Sequence, residues 1–193
     1  DSRLSDRLLK AAAAKGAATG PRPLKRYFGS ELSGIHALED ERDPTPGLAY
    51  LNSFCFRHRP RKHARTVAER VRDQRDLPPA EALLLDARIK AKPMLCRIIQ
   101  IDPGASIEVE NVLNGDVHRI HDVGLSSSAQ EGLGLILETF PVEEWTFTSL
   151  AGPAIPPTQI ARVLDQIHAL GHEFEDGYLA GDQSLLGKLF LAP

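Results

Sequence analysis

Met94-Leu95-Cys96-Arg97-Ile98-Ile99-Gln100-Ile101 is an apolar run rich in branched side chains, closed by Asp102-Pro103-Gly104. Proline presets φ and glycine accepts a positive φ, so that tripeptide is turn chemistry at the end of a strand. Beyond it, Ser106 to Val112 alternates polar and apolar residues, the period of a half-buried strand. Asn114-Gly115 is a strong hairpin signal, and Asp116 to Ile120 resumes the alternation. Leu133 to Glu138 and Glu144 to Thr148 follow a soft loop and read as two more strands. The expected fold class is therefore α+β: a helical N-terminal part, a small five-stranded antiparallel β-barrel of SH3 or OB type over Met94–Thr148, and a C-terminal amphipathic helix.

The flanks of that stretch read as helices. Ser2 to Lys15 carries Leu4, Leu8 and Leu9 on one face with alanines behind them. Leu24 to Leu32 predicts a short second helix. Gly34 to Gly47 reads as a turn-rich connection whose end, Asp43 to Gly47, is stiffened by two prolines. Over Leu48 to Phe56, which is apolar, helix and strand compete; the length and the shared face of Leu48, Leu51 and Cys55 favour a helix, with Phe54 and Phe56 as core. Thr66 with Glu69 three residues on is a capping box. Leu77-Pro78-Pro79 opens a further helix expected to turn Leu83, Leu84 and Ala87 inward. After the sheet, Ile155-Pro156-Pro157-Thr158 leads into a 3.6-residue stripe of Ile160, Val163, Leu164, Ile167 and Leu170, capped by Gly171. Ser184 to Leu191 predicts a last helical turn or two. The expected division is a helical region over 1–92, with a basic segment at 57–75, and a barrel plus covering helix over 93–193.

Composition bounds the function classes. A hydrophobic share of 42% with 25% charged residues is that of a globular protein. No apolar run approaches the ~20 residues that cross a bilayer, and no signal peptide is visible in the opening residues. The expectation is a cytoplasmic protein without a membrane partner. The two cysteines, Cys55 and Cys96, lie in apolar surroundings and are expected as buried free thiols. The net charge of −3 hides a polarity. From Arg57 to Arg75 eight basic residues meet two acidic ones, and from Asp102 to Glu144 nine acidic residues meet one basic. Such asymmetry bears on partners rather than on fold.

The order of these pieces resembles uncharacterised bacterial proteins that carry an SEC-C zinc-binding motif near their N-terminus. The matching residues are Phe56 to Pro60, Thr66 to Arg70, Leu77 to Glu81, Ile98 to Gly104 and Val112 to Gly115. The likeness spans roughly Leu48 to Ile155. The family's motif is a cysteine-rich knuckle, and two distant cysteines build no knuckle. The resemblance therefore implies an accessory protein, and it assigns zinc to no residue of this chain.

Arg57, Arg59, Arg61, Lys62, Arg65 and Arg72 are the candidate residues for contact with a polyanion or a protein partner, because guanidinium forks and ammonium groups suit phosphates and carboxylates. A solvated loop, or docking on the acidic half of the same chain, would use the same residues. No aromatic side chain interleaves them, which speaks against base stacking. His118 and His121 fall on opposite faces of a strand. His168 and His172 have a metal-ligand spacing; Gly171 interrupts their helix, and Glu173 and Glu175 nearby leave a weak metal site as the lesser alternative. Ser126-Ser127-Ser128 lacks the glycine of a nucleophile elbow and reads as a loop. Glu143 and Glu144, adjacent on a strand, point apart. Trp145 is expected to pack in the barrel or on its helix, with ligand stacking as the lesser alternative. No catalytic residue and no cofactor is assigned. The expected function is a non-catalytic, protein-binding accessory module, and the alternative is nucleic-acid binding through 57–75.

Overall fold

The computed structural model describes residues 2–14, 18–28, 31–40, 42, 45–61, 63–169 and 174–179. The chain divides into two compact units at the step from Ile89 to Lys90. The first holds six helices among the described residues: α1 (Ser2–Ala13), α2 (Pro21–Phe28), α3 (Glu31–Glu39), α4 (Thr45–Phe56), α5 (Val67–Arg72) and α6 (Pro79–Ile89). The segment 184–191 lies outside the described residues, as do Lys62, Leu170, Gly171 and His172.

The core of the helical unit is built on aromatic rings. Tyr50 of α4 sits 5.2 Å from Tyr27 and 5.3 Å from Phe28 of α2, ring centre to ring centre, and 6.0 Å from Phe54. The Tyr50 hydroxyl donates to the carbonyl of Ala18, so this buried polar atom is satisfied. Leu4, Leu8 and Ala12 form the inward stripe of α1, while Leu9 falls outside it. Two expectations fail here for local reasons. Glu31–Glu39 is helical rather than a turn. Gly34 sits on its inner side, where an added Cβ would lie 2.9 Å from Leu24 and Phe28. The glycine marks close helix packing, not a break. Helix α4 begins at Thr45, because Pro46 stands in the first turn, where no N–H is needed. On α6 the inward residue is Leu85, with Leu84 packed partly against the core, whereas Leu83 is 54% exposed.

The second unit is a five-stranded antiparallel sheet in the order β3-β2-β1-β4-β5. Its strands are β1 (Lys92–Asp102), β2 (Ser106–Asn111), β3 (Val117–His121), β4 (Gly134–Val142) and β5 (Trp145–Ala151). Met94, Cys96, Ile98, Ile107, Val109, Ile120, Leu135 and Leu137 make its core. The β1–β2 turn behaves as its residues dictate: Ala105 N–H donates to the Asp102 carbonyl at 3.0 Å, and Gly104 takes φ +77°. The Asn114-Gly115 hairpin is wider than the two-residue form. Gly115 alone has positive φ there, and its N–H donates back to the Asn111 carbonyl at 2.9 Å.

The barrel expected from sequence does not close. Strands β3 and β5 end the order and share no backbone ladder; they approach through side chains, with the His121 ring 4.2 Å from Trp145 and 6.2 Å from Phe147. Two register slips curl the sheet this far. Ile98 pairs with Val109 but Gln100 with Glu108, so Ile99 is an extra residue on β1. Glu138 pairs with Leu150 but Thr139 with Thr148, so Ser149 is extra on β5. An extra residue bends its strand and raises the local twist. The hydroxyls of Thr148 and Ser149 donate to the Glu138 carbonyl, and Ser149 also donates to the Glu138 carboxylate at 2.8 Å.

The soft loop after β3 is a helix, α7 (Val123–Ser128), capped by the Asp122 carboxylate. A 3-10 turn at Pro157–Gln159 leads into α8 (Ile160–Ala169), which buries Ile160 and Ile167. Ile160 lies on Gly134, where an added Cβ would meet its Cγ1 at 2.8 Å. A small hairpin, β6 (Phe174–Glu175) and β7 (Tyr178–Leu179), turns at Asp176-Gly177, both with positive φ. That is the turn an Asp-Gly pair favours. The buried Asn111 amide donates to the Gly177 carbonyl at 2.9 Å and holds the hairpin to β2.

Candidate interaction surfaces

Glu69 is the hub of the basic segment. As the third residue of the α5 capping box it accepts from the Thr66 N–H at 2.7 Å, while the Thr66 hydroxyl accepts from the Glu69 N–H at 3.1 Å. The same carboxylate receives both arms of the Arg59 fork, at 2.9 and 2.6 Å, and Arg59 also donates to the Ala64 carbonyl at 2.8 Å. The hydrogen bond from Arg59 is the largest cause that holds the Glu69 carboxyl below its usual range.

Three of the other candidate arginines are also engaged. Arg65 pairs with Asp73, and Arg72 donates to Asp86 at 2.6 Å. Arg57 donates to the Ile89 carbonyl at 3.3 Å. Arg61 is exposed and has no carboxylate partner among the described residues, and the same holds for Arg75. Lys62 lies outside the described residues. The structure thus brings Arg59, Arg65 and Arg72 together as pieces of an ion-pair frame around α5. They do not converge on a shared anion site.

The sheet unit treats its charges differently. Arg97 and Glu110 face each other across β1 and β2 and form an ion pair at 2.5 Å. Arg119 and Glu108 do the same across β3 and β2 at 2.6 Å. Beside the first pair runs a groove of about 460 Å3 between the sheet and α8, lined by Arg97, Glu110, Val112, Pro157, Ile160 and Leu164.

Glu143 and Glu144 form the β4–β5 turn rather than a strand, with Glu143 at φ 55°. Both are exposed and have no cation partner among the described residues. Trp145 next to them is 44% exposed, against the expectation that it would pack in the barrel or on a helix. The reason is the open seam: β5 is an edge strand, and across it the His121 ring of β3 stands against Trp145 and Phe147. Sequence reading missed this pairing, although the lone tryptophan beside two glutamates was its one available signal.

The thiols are inert. Burial pushes Cys55 up to about 11 and Cys96 up to about 12, and neither is in a disulfide. No group of three or more histidine, cysteine, aspartate or glutamate side chains converges on a metal position among the described residues. His118 and His121 part as strand alternation requires, the first toward Tyr178 and the second toward Trp145. His168 packs on Phe174. No helix among the described residues is long and apolar enough to cross a membrane.

Comparison of the chain with family models, curated proteins and solved structures finds no match.

Proposed function

We propose that this chain is a non-catalytic interaction module that binds a protein partner. The observation that carries the reading is the self-neutralised basic segment. Arg59, Arg65 and Arg72 each hold a carboxylate of their own unit. Exposed ion pairs of this kind contribute only about 0.2–1 kcal/mol each. They nevertheless occupy the guanidinium forks that phosphate would need. Exposed apolar side chains, Leu48 and Leu83 on the helices and Val123 and Trp145 on the sheet unit, offer contact area instead. The SEC-C-like order of motifs supports an accessory role. The test is reconstitution: a partner retained by the full chain is purified, and the pair is weighed by light scattering. A stable complex of defined stoichiometry is expected. A chain that stays monomeric beside every retained candidate overturns the reading.

The second reading, nucleic-acid binding, rests on Arg61 and Arg75, whose charges are not taken by a described carboxylate. It requires affinity that falls steeply with salt and is lost on Arg61→Glu with Arg75→Glu. Mobility shifts across a salt series measure both.

A further inference from the structure

We infer that the seam between β3 and β5 is a docking surface for an arginine-bearing peptide segment of the protein partner. The inference rests on the protein-binding reading and names the partner's chemistry.

The seam brings two properties to one place. The first is aromatic surface. Trp145 remains 44% exposed even though His121 stands edge-on against it, with ring centres 4.2 Å apart and planes at 81°. Phe147 lies behind His121 at 6.2 Å and stacks on Phe140 at 6.1 Å, so the strip is backed by packed rings. The second property is negative charge that meets no cation among the described residues. Glu143 and Glu144 immediately precede Trp145 in the turn, and they differ from Glu108 and Glu110, which are held by Arg119 and Arg97.

A ligand that satisfies both must present a cation with a flat, weakly hydrated face. Guanidinium does so: it stacks on an aromatic ring while its edge donates to carboxylates. An ammonium is a compact, strongly hydrated charge and fits less well. Phosphate is repelled by the two glutamates, so the surface selects against nucleic acid.

The only tryptophan of the chain is in this surface, so its emission reports occupancy directly. The full chain is titrated at low salt with an Arg-Gly repeat peptide and with lysine-for-arginine and serine-for-arginine versions. A saturable change in Trp145 emission is expected with arginine, a weaker one with lysine and none with serine. Glu143→Gln with Glu144→Gln should weaken the arginine peptide roughly three- to tenfold, the loss of two exposed ion pairs. Circular dichroism checks that the variant stays folded, and calorimetry gives an affinity independent of emission, also for Trp145→Leu. Equal response to the serine peptide, or undiminished calorimetric affinity in either variant, overturns the assignment. So does self-association abolished by these variants, which would give the surface to the arginine-rich 57–75 segment of a second copy. If a reconstituted partner binds the variants unchanged, the surface fails while the module reading stands. If no partner is found but the arginine peptide binds as described, the reverse holds.

Discussion

The helical unit and the sheet unit solve the same packing problem with opposite materials. The first fills its centre with rings, Tyr27, Phe28, Tyr50 and Phe54, that reach between α2 and α4. The second fills its centre with aliphatic chains, of which Ile98, Ile107, Val109 and Ile120 are β-branched and suit a pleated surface. Their ion pairs differ in the same sense. Arg59–Glu69, Arg72–Asp86 and Arg7–Asp76 tie separate helices and loops together, at positions no ladder prescribes. Arg97–Glu110 and Arg119–Glu108 join residues that the strand register already places opposite one another. In the helical unit, side chains define where elements meet. In the sheet unit, backbone pairing defines it and side chains follow.

The largest break in this contrast is Tyr50→Ala. Tyr50 is almost fully buried and touches three other rings. Its removal should cost about 3–5 kcal/mol, as a large aromatic deletion does. The loss appears as a lower urea midpoint in far-ultraviolet circular dichroism. Gly134→Val is the counterpart in the sheet unit. Its branched side chain would meet Ile160 and Ile155 and should destabilise by about 1–3 kcal/mol, read by the same titration. An unchanged midpoint would mean that α8 does not rest on β4.

Thr66→Ala is the next step down. It removes the acceptor of the Glu69 N–H and should cost about 1 kcal/mol. Thr66→Ser keeps the acceptor and should recover most of it. The smallest effect at neutral pH becomes visible in alkali. Both thiols have raised native pKa values, so their contribution is complete below the unfolded value of about 8.5 and is lost as pH rises toward about 11 for Cys55 and about 12 for Cys96. Stability should decline above pH ~9. Cys55→Ser and Cys96→Ser leave one thiol each, so labelling by a thiol reagent reports opening of each unit by itself. Cys96, held in the strand ladder, should label more slowly than Cys55.

The strands were legible because period-2 alternation and turn residues coincide, as at Ile107 and Val109 after Pro103-Gly104. The capping box at Thr66 was legible for the same reason: it is wholly local. What depends on a distant neighbour was not. Gly34 reads as a break until Leu24 and Phe28 are seen against it. The α6 stripe points to Leu83 until packing selects Leu85. Closure of the sheet was misjudged because strand count is local and curl is not. The basic segment was visible as charge, but its carboxylates at Glu69, Asp73 and Asp86 come from one turn to one helix further along. The Trp145 seam needed two strands that are ends of the sheet order and far apart in sequence.

Ile99 has a consequence for engineering. Because Arg97 and Ile98 before it and Gln100 and Ile101 after it keep consecutive partners on β2, the residue is surplus to the pairing of β1 with β2. Excising it would leave every rung of that ladder intact and straighten the joint it creates. A one-residue deletion, usually the most damaging lesion a strand can suffer, would here act as a hinge adjustment. It would draw the His121 ring away from Trp145 and brighten or shift the indole emission before it cost the protein its fold.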